Sequence, residues 1–163
     1  MNKDHELTLK MTAYEEGCPK RIHHFLKVYA FSDLIGTREN VDNKTMDILR
    51  TASLVHDIGI KPSLIKYNDS KGPNQEKEGP PLAEAMLREL NYPEDIINRV
   101  SFLVGHHHTY NNIDNIDYQI LVEADFLVNI FENNVPIERI KEIYEKHFVT
   151  ETGKTLMRQL YNI

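Results

Sequence analysis

The chain has 163 residues, 40% apolar and 27% charged, with seven glycines and seven prolines. This fits one soluble globular domain and excludes disordered, collagen-like and low-complexity classes. Lys and Arg total 19 against 25 Asp and Glu, a net charge of −6, the wrong sign for a protein that tracks nucleic-acid phosphates. No apolar run nears the roughly 20 residues that cross a bilayer, and the opening MNKDHELTLK mixes both charge signs, so neither membrane insertion nor export is expected.

Strand signals are nearly absent, whereas helical spacing recurs along the chain. In residues 19 to about 35, His24, Val28, Phe31 and Ile35 share one face and Lys20, His23 and Lys27 another, with Gly36 expected to end the helix. Asp42 or Asn43 caps a second helix whose buried stripe reads Leu49, Ala52, Val55 and His56. Gly59 and Pro62 are expected to stop it, which puts His56-Asp57 in its last turn. Residues 61–81 lose periodicity and collect Asn, Asp, Ser, Gly and Pro, as expected of a long polar loop that binds or covers a ligand.

Leu82, Ala83, Met86, Leu87 and Leu90 form the next stripe, and Ile96, Ile97, Val100, Leu103, Val104 and His107 the one after. Residues 117–129 place Tyr118, Leu121, Asp125 and Val128 together, and weaker helical patterns cover 136–147 and 152–161. The expected fold is all-α, one bundle of about seven helices over the whole chain.

Cys18 is the lone cysteine, which excludes an intramolecular disulfide or a dithiol pair and fits a reducing cytoplasm. Eight histidines, three of them consecutive at His106, His107 and His108, leave nitrogen and oxygen as the ligands for any metal. His24, His56 and Asp125 interrupt faces that should be buried, and a carboxylate there is costly unless paired or ligated. Imidazoles and carboxylates arriving from several helices are what a divalent-metal site requires.

His24, the doublet in ASLVHDIG, the cluster VGHHH and Asp125 in LVEADFLV resemble the HD superfamily of metal-dependent phosphohydrolases, over about residues 15 to 130. The resemblance implies that His24, His56, Asp57 and Asp125 bind one ion. His24 is preferred to His23 because it stands four before Val28 and because His23 lies toward Lys20 and Lys27. It further implies a second ion bridged by Asp57 and completed by two His. One of these falls in VGHHH, with His107 preferred to His106, and His108 left to substrate or surface. The other is missing, and Glu76, or failing that Gln75, stands at about its position. Many relatives carry a Lys directly after HDIG; here Ile60 intervenes and Lys61 comes one place late.

On this resemblance the expected function is hydrolysis of a small phosphorylated metabolite or nucleotide. It uses one or two divalent ions (Mn, Fe, Ni, Co, Zn or Mg), with Asp57 and Lys61 catalytic and His108, Lys66 and Tyr110 toward substrate. Gln119 and Glu123 are further candidates to support substrate or ligands. No Walker loop, dinucleotide fingerprint or serine-nucleophile motif competes with this reading. The alternatives are a di-iron oxygenase of similar fold, for which the chain is one ligand short of six, and a non-catalytic protein that keeps the metal for stability.

Overall fold

The computed structural model describes residues 3–163, and their regular structure is entirely helical. Nine helices follow in order: α1 Lys3–Tyr14, α2 Pro19–Arg38, α3 Asn43–Val55, α4 Ile60–Tyr67, α5 Gly72–Glu89, α6 Glu94–Val104, α7 Ile116–Glu132, α8 Ile137–His147 and α9 Glu151–Tyr161. Pro19 opens α2 where a missing N–H costs nothing. The Asp42 carboxylate caps α3 by accepting from the Thr45 N–H at 3.1 Å. α7 is buried on nearly every side, from Tyr118 through Ile130, so it runs through the middle of the bundle. α2 packs against both α3 and α7, α6 against α3 and α5, and α8 and α9 close the far end of α7.

One continuous apolar core joins Val28 and Ile35 of α2, Leu49 and Val55 of α3, Leu103 of α6 and Leu121 and Val128 of α7. No helix among the described residues is long and apolar enough to cross a membrane. Glu123, fully buried on α7, accepts from the Val149 and Thr150 N–H groups at 2.7 and 2.9 Å and from the Thr150 hydroxyl at 2.5 Å. It ties α7 to the α8–α9 junction, and Gln119 bonds to it and to the His147 carbonyl. Neither belongs to a ligand site.

Among the described residues nine helices stand where about seven were expected. α1 escaped notice because only Leu7 and Met11 are buried on it, too short a stripe to stand out. The expected polar loop over 61–81 is instead α4 and the first half of α5, joined by residues 68–71. Gln75 and Gly79 are the buried residues in that half of α5, so its packing is made by backbone and an amide and carries no apolar period. Pro62 lies in the first turn of α4, where it begins a helix, and Pro80 and Pro81 sit inside α5. Gly36 does not end α2. It lets α3 approach, since a Cβ there would overlap Met46 Sδ.

Gly59 makes the same provision at the His56-Asp57 turn. A Cβ at Gly59 would overlap the Gln75 carbonyl oxygen and lie 2.9 Å from the Gly79 nitrogen, backbone atoms that cannot rotate away. Overpacking of this kind costs ~1–3 kcal/mol, and a domain of this size loses about 2–4 °C per kcal/mol. Gly59→Ala is therefore expected to lower the melting temperature by about 2–12 °C in a thermal scan. An unchanged midpoint would contradict the contact.

Candidate metal centre

Four segments deliver the polar residues to one end of the bundle. α2 carries His24 and α7 carries Asp125. α3 stops at Val55 with His56 as its C-cap, and a tight turn follows in which Ile58 N–H donates to the Val55 carbonyl and Ile60 N–H to the Asp57 carbonyl. Because the helix ends there, the adjacent His56 and Asp57 side chains reach the same space. The turn after α6 adds His107 and His108.

His24 Nε2 lies 3.2 Å from His56 Nε2, 3.1 Å from Asp125 Oδ1 and 3.3 Å from Asp57 Oδ2. His56 Nε2 is 3.5 Å from both Asp57 Oδ2 and Asp125 Oδ1. His107 Nε2 faces the other Asp57 oxygen, Oδ1, at 3.3 Å. Two overlapping groups thus share Asp57: His24, His56 and Asp57, and Asp57, His107 and His108, each with its ligand atoms within 4.8 Å of one another.

The opposite ring nitrogens fix the tautomers. His56 Nδ1 is 2.8 Å from the Ser53 carbonyl and His107 Nδ1 2.9 Å from the Val104 carbonyl. A carbonyl only accepts, so Nδ1 carries the hydrogen and Nε2 presents a lone pair. His24 Nδ1 lies 3.1 Å from Glu132 Oε2, which assigns it the same way. Both His56 and His107 are fully buried, and His107 Nε2 has no hydrogen-bond partner. Lone-pair nitrogens facing carboxylate oxygens in a buried space repel unless positive charge lies between them, so this donor set fits a cation.

The electrostatics agree. Burial opposes protonation of His24, yet its hydrogen bond to Asp125 and the charges of Asp57, Asp125 and Glu132 outweigh it and push the pKa up to about 9, so with no cation in the pocket Nε2 carries a proton toward Asp125, in the place a metal ion would take. Burial opposes ionisation of Asp57 and Asp125, and the surrounding imidazoles nevertheless hold both below the usual carboxylate range. His108 behaves oppositely: burial and the adjacent His107 lower it to about 4, so it is neutral. Gln75 Nε2 donates to the Ser70 carbonyl, which turns Gln75 Oε1 toward His108 Nε2 at 3.2 Å. His108 must then donate from Nε2, leaving Nδ1 as its lone-pair nitrogen.

Several expected site residues stand elsewhere. Glu76 accepts from the His108 N–H at 2.9 Å and the Thr109 hydroxyl at 3.0 Å; it holds the turn and lies outside both groups, where His108 occupies the place assigned to it. His106 bonds through Nδ1 to the Phe102 carbonyl and stacks on the Phe102 ring, also outside both groups. Lys61 donates to the Tyr14 carbonyl at 2.9 Å and lies over that ring, because α4 starts at Ile60 and turns it toward α1. Lys66 pairs with Glu78 on the outside of α4 and α5. Tyr110 packs against Phe126 and His147.

A cavity of about 280 Å³ opens beside His24 and Asp57, walled by Lys20 and Arg21 of α2, Ser70, Gln75 and His108, and Asn129, Glu132 and Asn133 at the end of α7. The sequence reading missed Asn129, which donates to Asp125 Oδ1 at 2.8 Å, and Glu132. Both fall at helical spacing from Asp125, four and seven residues on, and that spacing was the available signal.

The family model for the HD domain matches residues 21–160. This chain belongs to the HD domain family. Its fold is that of a predicted HD superfamily hydrolase from an uncultured Thermotogales bacterium, with a TM-score of 0.71 at 21% identity, covering 97% of this chain and 84% of the other. No curated protein matches the chain significantly. HD proteins make up a superfamily of metal-dependent hydrolases, and the His and Asp groups at the end of this bundle could hold the divalent ions that such proteins bind.

A ligand at 100 times its dissociation constant stabilises the folded state by ~2.7 kcal/mol. Saturating Mn is therefore expected to raise the melting temperature by about 5–10 °C, with a chelator reversing the gain. The gain should vanish in His56→Ala. A midpoint indifferent to Mn, Co, Ni and Zn would count against a metal centre here.

Proposed function

We propose that this HD protein is a phosphohydrolase that cleaves a phosphate ester of a small molecule with metal-activated water. His24, His56, Asp57 and Asp125 hold one ion, and Asp57, His107 and His108 a second. The observation that carries the two-ion reading is the Asp57 carboxylate, whose Oδ2 faces His24 and His56 while Oδ1 faces His107, as a bridging carboxylate requires. Four imidazoles favour Mn, Fe, Co, Ni or Zn over Mg. When bound, such ions supply water of lowered pKa and positive charge against phosphoryl oxygens.

The chain's own residues complete the arrangement. The Ser53 and Val104 carbonyls and Glu132 lock the imidazoles in their ligating orientation. Lys27 pairs with Glu132 at 2.8 Å, which keeps that acid from repelling an anionic substrate. Asp57, ionised and open on one side to the cavity, accepts a hydrogen bond from the attacking water and orients it. Asn129 and Asn133 present amides to the phosphoryl group. A substrate of small-molecule size fits the cavity, and the acidic surface disfavours extended nucleic acid. A reducing cytoplasm suits the single cysteine.

With Mn, Co or Ni, the protein is expected to turn over at least one member of a panel of phosphomonoesters, phosphodiesters and nucleotides, and Asp57→Ala to lower kcat at least about 100-fold. His107→Ala should reduce bound Mn from two ions to one and depress kcat more than it raises KM, because the lost charge acts on the transition state. A protein that binds two Mn ions and cleaves nothing in the panel is a metal-stabilised binding protein instead. The participation of His108 supports a second reading, since it brings the candidate ligands to six, the number the HD-type di-iron oxygenases use. Oxygen uptake by the iron-loaded protein, with no phosphoester turnover, would select that reading.

A further inference from the structure

We propose that Lys20 and Arg21 form an anion subsite at the mouth of the metal-site cavity, so that the preferred substrate carries a second phosphoryl group beyond the one cleaved. The inference rests on the phosphohydrolase reading and narrows its substrate class to diphosphate esters and bisphosphates. Both side chains line the same cavity as His24 and Asp57. They stand four and three residues before His24 on α2, hence on its face and about one turn, ~5.4 Å, toward the helix start. The positive end of the α2 dipole lies at that turn and reinforces them.

Arg21 is fixed in place: its Nε donates to Glu15 Oε2 at 2.6 Å, and Glu15 is buried at 2% exposure. That bond leaves the two Nη groups of the guanidinium for another acceptor. Lys20 is exposed and has no hydrogen-bond or ion-pair partner among the described residues. The acid on the facing wall, Glu132, is already matched by Lys27 and His24. In a chain of net charge −6, two adjacent cations with no free acid opposing them at this mouth fit an anion held beside the metals. A guanidinium fork and an ammonium together match phosphate oxygens.

The test compares two non-hydrolysable probes, ethylphosphonate and ethane-1,2-diphosphonate, titrated calorimetrically into Mn-loaded protein with protein in excess over Mn. The wild type is expected to bind the diphosphonate at least about tenfold more tightly than the monophosphonate, since one charge-assisted contact is worth about that factor. Lys20→Ala should remove most of that preference and change monophosphonate affinity by less than about threefold. Lys20→Glu should abolish the preference and Lys20→Arg preserve it. Arg21→Lys is the companion variant, because Arg21→Ala would strand the buried Glu15 and risks unfolding. Normal Mn uptake with an unchanged preference in Lys20→Glu would overturn the subsite and leave the hydrolase reading standing. Failure of the wild type to take up Mn or bind either probe would overturn both.

Discussion

Three imidazole nitrogens and two carboxylates meet at one buried end of an otherwise apolar bundle, where the Asn129 amide donates a single hydrogen bond to Asp125 and acceptors far outnumber donors. That concentration of lone pairs governs the surrounding structure. Each ring is held from behind, and twice by the same local device: His56 Nδ1 bonds to the carbonyl three residues back, Ser53, and His107 Nδ1 to the carbonyl three residues back, Val104. Those carbonyls are free because α3 and α6 end there and their last turns have no further N–H to accept from. Helix termination thus satisfies an orphan acceptor and fixes a tautomer in one step. His24, in mid-helix, has no such carbonyl and draws on Glu132 of α7 instead.

The turn that carries His56 and Asp57 is in turn held by α5. Gly59 and Gly79 allow the two backbones to touch, and the same stretch of α5 sends Gln75 to His108 and Glu76 to the His108 N–H and the Thr109 hydroxyl. One polar segment therefore clamps both halves of the site. It couples the doublet to the histidine cluster by backbone and amide contacts, which place ligand atoms more rigidly than apolar side chains of variable rotamer.

This division explains what could be read from the sequence. His24, His56 and Asp125 were legible because each breaks an apolar stripe at helical spacing, and the doublet followed by Ile58-Gly59 fixed their order. The Lys61-to-Pro81 stretch was misread because helices packed through glycine backbone and a glutamine carry no hydrophobic period, and its prolines read as breakers though they lie within helix. Lys61 and Lys66 fell with it, since their reach toward substrate depended on a loop. The exchange of Glu76 for His108 was beyond sequence reasoning: residues 32 apart compete for one position, and only the path of α5 decides between them. Glu132 was readable in principle, from its spacing to Asp125 alone.

The charge distribution adds a last constraint. At physiological salt a surface charge is screened within about 8 Å, so the overall acidity of the chain neither attracts nor strongly repels a phosphorylated ligand until it reaches the cavity. Recognition must then come from charges at the mouth itself. The Glu132–Lys27 pair is neutral as a unit, Arg99 is spent on Asp114 and Asp117, and Lys61 and Lys66 are spent on Tyr14 and Glu78. What remains beside the candidate ligands is Lys20, unpaired, and next to it on the first turn of α2 the Nη groups of Arg21, whose Nε is held by Glu15. Their sequence signal was only two basic residues on an exposed helical face, which reads as solvated surface until α7 is seen to cross in front of it. The cluster selects the ion, and the charge left unpaired around it selects what the ion acts upon.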